Sequence, residues 1–181
     1  MNKFLPIAAA VATAFSMAPA QASTMAAHER LVDEVLRVGV TIYLNPTDCK
    51  GASFAGYYQS AASKMVICQD NGIAGSFEQA RWTANDLDTL RHEAHHVAQD
   101  CMGLIRGNNE LGTIYTKPFL FAQQFFGTIT IQNIVATYKG LGASPQVQVL
   151  EVEAFAVAEM NNPDRQVAAL RKYCLWFCIS S

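Results

Sequence analysis

The chain has 181 residues, 51% of them hydrophobic and only 15% charged, and a formal net charge of -2. That composition excludes a disordered chain, and the length suits one compact domain better than two. No basic run is present to offset phosphate charge, which argues against nucleic acid as a partner.

Residues 1–22 read as a secretory signal peptide rather than as structure. Lys3 gives a positive start, residues 4–17 are mostly apolar, and Ala20-Gln21-Ala22 is an A-x-A cleavage sequence. The apolar run is too short to span a bilayer comfortably. The expectation is cleavage before Ser23, no stable membrane insertion, and a periplasmic or secreted domain over residues 23–181. Export places all five cysteines in an oxidising compartment. Cys49 and Cys68 flank a Gly- and Tyr-rich stretch and are expected to pair, which leaves Cys101 for Cys174 or Cys178. A metal site on Cys174 and Cys178 is the rival, but no second cysteine pair stands at finger spacing.

In the mature chain, residues 26–38 read as a helix with Leu31, Val35 and Val38 on one face, interrupted by Gly39. Residues 41–44, 54–59 and 65–68 read as strands, and 70–75 as a loop. The strongest helix spans 83–102: Thr83 and Asp86 form a capping-box variant, and Gly103 suits its end. Lys117-Pro118 opens a helical region that extends to Phe126, whose four Phe read as core or as the lining of an apolar groove. Residues 127–138 fit a strand by their β-branched content and a helix by the spacing of Ile131, Ile134, Val135 and Tyr138. Gly140, Gly142 and Pro145 mark a loop, 146–160 a helix, and 164–177 a last helix docked by a disulfide. The fold class is α+β, mostly helical, with a small sheet in the N-terminal half.

The chemistry lies in His92-Glu93-Ala94-His95-His96. Residues four apart on a helix share a face, so His92 and His96 can reach one Zn2+ ion. Zinc lowers the pKa of a bound water toward neutrality, and Glu93 stands where its carboxylate can take that proton. Leu87, Leu90, Ala94, Val97 and Cys101 form a separate apolar face, and Gln99 lies one turn past His96, within reach of its ring. His92 and His95 are an alternative pair with poorer chemistry. Three of the four histidines fall within five residues, which outweighs a chance match to a loose pattern. The remaining one, His28, lies far upstream, so the third ligand is expected to be a carboxylate. Glu151 and Glu153, in a small-residue helix fifty-five residues and more beyond His96, are the candidates. Ordinary surface acids are the bland alternative.

These residues resemble the gluzincin metallopeptidases, especially small one-domain members, in which HExxH and a later Glu on a second helix hold zinc. Only the HExxH part of the resemblance is specific. Matching Glu-x-x-Ala selects Glu151, and then Phe155 stands where an acid or amide is usual; matching Glu followed directly by Ala selects Glu153. The resemblance implies a minimal zincin-like domain with a small antiparallel sheet packed on the HExxH helix. It also implies that the strand at 65–68 binds an extended peptide along the sheet edge. Tyr57, Tyr58, Tyr115 and Tyr138 are candidate oxyanion donors, none of them preferred. The expected function is an exported zinc metalloprotease acting on peptide or protein substrates. The alternatives are an exported zinc-binding protein with no catalysis and an interaction module that has lost its metal.

Overall fold

The computed structural model describes residues 25–72, 82–105, 107 and 110–174. The signal-peptide expectation, Cys178 and the end of the expected last helix lie outside these residues. Helix α1 (Met25–Arg37) leads to strand β1 (Thr41–Leu44), followed by β2 (Gly56–Gln59) and β3 (Lys64–Ile67). Five helices follow: α2 (Ala84–Ile105), α3 (Pro118–Ala122), α4 (Thr128–Gly140), α5 (Pro145–Glu159) and α6 (Pro163–Tyr173). The mostly helical α+β class is therefore as expected.

The sheet differs from the expected antiparallel one. Its order is β1-β3-β2, with β3 antiparallel to β2 but parallel to β1. After β1 the chain turns at Asn45, whose φ is 48°, and crosses to the far edge before the β2–β3 hairpin returns. The Asn45 side chain ties the ends of β1 and β3, donating to Gln69 Oε1 at 3.0 Å and accepting from Gln69 N at 2.8 Å. Strand β3 is therefore the middle strand, with both its edges paired. Residues 65–68 therefore offer no edge for a peptide; among the described strands β1 and β2 are the edges, and β2 is the one packed against α2.

Helix α2 starts as its sequence predicts. Thr83 Oγ1 accepts from Asp86 N at 3.1 Å and Asp86 Oδ2 accepts from Thr83 N at 2.8 Å. Gly103 does not end it. The helix runs to Ile105, and the left-handed residue beyond it is Gly107, with φ of 74°. From Thr89 to Gln99 every residue is buried, so the polar stripe is as enclosed as the apolar face. The apolar face joins α1, the sheet and α6 through Leu31, Val35, Met65, Ile67, Leu90 and Leu170. Each such buried side chain contributes about 1.5–3 kcal/mol relative to exposure. The polar stripe faces α5.

A second apolar cluster joins α3, α4 and α5 through Phe121, Ile131, Ile134, Tyr138, Val152 and Val157. The ambiguous segment 127–138 is thus helical. Gly127 is extended ahead of it, and the 3.6-residue spacing places Ile131, Ile134 and Tyr138 against α5. Helix α3 is shorter than expected, and none of its phenylalanines lines the cleft beside His92. Disulfides join Cys49 to Cys68 and Cys101 to Cys174, the second fastening the end of α6 to α2. No helix among the described residues is long and apolar enough to cross a membrane.

Candidate metal centre

Helix α2 supplies His92, Glu93 and His96, and α5 packs across it with Glu151. Ser144 caps α5 by accepting from Val147 N, Pro145 opens its first turn, and Ala154, Ala156 and Ala158 are buried along it. Small residues there let the two helix axes approach, which brings a glutamate to the histidines. His92 Nε2 lies 3.2 Å from Glu151 Oε2, His96 Nε2 lies 3.4 Å from Glu151 Oε1, and the two Nε2 atoms are 3.1 Å apart. A tetrahedral ion bound at about 2.0–2.1 Å sets its ligand atoms about 3.3–3.4 Å apart. The three side chains therefore already hold ligand spacing, and this buried group can hold a metal ion.

The charges agree. Glu93 and Glu151 are both buried, 2% and 0% exposed, within one small volume. Two neighbouring buried carboxylates are costly unless a cation accompanies them. Without a metal, the imidazoles take that part. Burial alone would lower the pKa of His96, but Glu151 and Glu93 outweigh it and push it up to about 9. Burial would raise Glu151, yet His96 and His92 hold it well below the usual carboxylate range. Among the described residues, Glu151 Oε1 has the His96 Nε2 contact at 3.4 Å, and His92 Nδ1 is buried without a hydrogen-bond partner.

Glu93 is pinned between α2 and β2. The Tyr58 backbone N–H donates to its carboxylate, and burial, opposed by His92 and His96, raises its pKa above the ordinary value. That direction suits a general base. The approach depends on Gly56, where a Cβ would meet Thr89 Cγ2 at 2.6 Å and Val66 O at 2.7 Å. A glycine inside a strand signals such close backbone approach, and this is the one trace of the β2 contact in the sequence. Beside Glu93 and His92 opens a cleft of ≈ 520 Å³, walled by Phe54, Phe155, Asp70, Asp88 and the Cys49–Cys68 disulfide.

The other candidates divide. Glu153 is turned from the His92–His96 pair and takes His95 Nε2 at 2.9 Å. Among the described residues, the group that could hold a metal ion is His92, His96 and Glu151, and neither Glu153 nor His95 is part of it. Phe155, at the position where the resembling family has an acid or amide, packs edge-on against His92, with ring centroids 4.5 Å apart. Of the four tyrosines, Tyr138 has its hydroxyl buried beside Glu151. Burial and that carboxylate raise its pKa. Tyr58 instead donates to Asp100 at 2.8 Å, and Tyr57 to Asp48 at 3.2 Å.

One protein family, described as a domain of unknown function (DUF8637), matches residues 22–175. The chain belongs to that family. No curated protein and no solved structure matches it. In this DUF8637 member the matched region contains His92, Glu93, His96 and Glu151, and all three core elements of the site, α2, α5 and β2, fall within it.

Proposed function

We propose that this protein is an exported zinc-dependent metallopeptidase that hydrolyses peptide bonds. The observation that carries the reading is the triangle of His92 Nε2, His96 Nε2 and the Glu151 carboxylate, with edges of 3.1, 3.2 and 3.4 Å, set beside a buried glutamate. Two imidazoles and a carboxylate with room for a fourth group are a zinc donor set of the catalytic kind. The resemblance to gluzincins rests on the same residues, and two disulfides suit an oxidising compartment.

In this reading His92, His96 and Glu151 hold the ion. A bound zinc ion supplies Lewis acidity, which acidifies water and polarises a peptide carbonyl at neutral pH. Glu93 takes the proton from the attacking water and passes it to the leaving amine. The Tyr58 N–H orients the Glu93 carboxylate. The substrate lies in the cleft between Phe54 and Phe155, alongside the segment that leads into β2.

The test is metal content together with peptide hydrolysis. The purified mature protein should carry about one zinc per chain, as such a site holds a single ion. Glu93→Gln should keep the zinc and lose activity. Zinc retained with no hydrolysis of any peptide in a broad library would favour the non-catalytic zinc-binding alternative. No zinc, even after reconstitution, would sink both.

A further inference from the structure

We propose that Glu153 and Gln99 form a relay that fixes which nitrogen of His96 meets the metal, making Glu153 a positioning residue. This inference rests on the metal reading above. Its starting point is the number of donors aimed at Glu153. His95 Nε2 lies at 2.9 Å, Gln99 Nε2 at 3.1 Å, Ile114 N at 2.9 Å and Tyr115 N at 3.1 Å, all on a side chain that is 0% exposed. An ionised carboxylate accepts and never donates, so these four contacts are mutually consistent only if Glu153 faces hydrogens throughout.

That requirement settles the orientation of Gln99, which is also 0% exposed. Its Nε2 donates to Glu153 Oε1 and to the Leu150 carbonyl, both at 3.1 Å. The reversed amide would set a carbonyl oxygen against two acceptors in a dry interior, where an unsatisfied polar group costs about 1–3 kcal/mol. With both amide hydrogens so committed, Gln99 Oε1 must face His96 Nδ1, at 2.7 Å. An oxygen acceptor there requires that His96 Nδ1 carry the proton. The Nε2 lone pair is then the one left for the metal, and it is the atom that faces His92 and Glu151. Among the described residues His92 has no such partner, since its Nδ1 is buried and unbonded. The relay therefore orients His96 alone, and it draws on the loop at 114–115 as well as on α2 and α5.

The experiment is nitrogen-15 histidine spectroscopy of the zinc-loaded protein, with zinc affinity measured by chelator competition, on the parent and on Gln99→Met. In the parent, His96 should coordinate through Nε2 and show an exchange-protected Nδ1 proton. In Gln99→Met that proton should lose its protection and zinc affinity should fall about 10–100-fold, the usual effect of losing an outer partner of a ligand. Unchanged affinity and an unchanged proton signal would overturn the relay, as would coordination through Nδ1 in the parent. Should Gln99→Met fail to fold, Glu153→Gln decides through the same proton. An amide at 153 offers Gln99 a donor as well as an acceptor, so the orientation should blur and the signal broaden. Zinc bound equally by parent and variants sinks only the relay, whereas no zinc in the parent sinks the functional reading and the relay together.

Discussion

Glu151 and Glu153 lie two residues apart on α5 and face opposite ways. Glu151 meets His92 and His96, whereas Glu153 meets His95, Gln99 and two loop amides. At about 100° per residue, two steps along a helix turn a side chain through about 200°, so one metal cannot draw on both. Glu151→Gln should therefore reduce zinc affinity by more than the roughly 10–100-fold expected of an outer partner. Glu153→Gln should stay within that range. Equal losses in the two variants, measured by chelator competition, would contradict this division.

The same pair shows what the sequence can and cannot convey. The His92–His96 spacing, the Thr83–Asp86 cap and the Cys49–Cys68 disulfide follow from local pattern or from simple pairing, and all are present, whereas the sequence leaves Cys101 between Cys174 and Cys178 and only the packing of α6 on α2 selects Cys174. The choice between Glu151 and Glu153 depends on the rotation of α5 against α2. Both acids are enclosed by apolar neighbours, so periodicity gives no solvent face to set the phase. The parallel pairing of β1 with β3 was also beyond reach. It depends on where the chain crosses after Asn45, and hairpin signals describe only the β2–β3 turn. The burial of the whole polar stripe on α2 is a tertiary effect, created when α5 closes over it.

Removal of the metal should loosen the α2–α5 contact. A ligand present at about a thousand times its dissociation constant stabilises the folded state by about 4 kcal/mol. For a domain of this size each kcal/mol moves Tm by roughly 2–4 °C. A chelator should therefore lower Tm by about 10 °C on that scale, and added zinc should restore it. His96→Ala should melt at one temperature with or without chelator. A parent protein indifferent to chelator would show that the buried His–Glu cluster is stable on its own hydrogen bonds.

The two disulfides should fail differently. Cys101–Cys174 closes the longer loop, with a separation of 73 residues, and joins α2 to the end of α6. Loop-closure entropy gives it about 4 kcal/mol, so replacing both cysteines by Ala should cost global stability while the cleft keeps its shape. Cys49–Cys68 has a separation of 19 residues, and both its cysteines line the cleft beside His92. Its loss should cost about 3 kcal/mol and also raise KM, because one wall of the cleft is no longer tied to β3. A KM effect of equal size from the Cys101–Cys174 pair would remove that distinction.

Gly56 offers a test of the link between the sheet and Glu93, the proposed general base. An added Cβ would meet Thr89 Cγ2 at 2.6 Å, Val66 O at 2.7 Å and Glu93 Cγ at 3.4 Å. The Val66 contact is backbone, so β2 itself must shift, either from β3 or from α2. Overpacking of this kind costs about 1–3 kcal/mol. The shift also moves the Tyr58 N–H that holds the Glu93 carboxylate. Gly56→Ala should therefore lower kcat while zinc content stays as in the parent, since the three atoms nearest the new methyl group belong to Thr89, Val66 and Glu93 and none to His92, His96 or Glu151. Loss of zinc in parallel with activity would mean that the strand supports the metal ligands as well. Full activity in a destabilised variant would mean that Glu93 finds its working position without the Tyr58 amide.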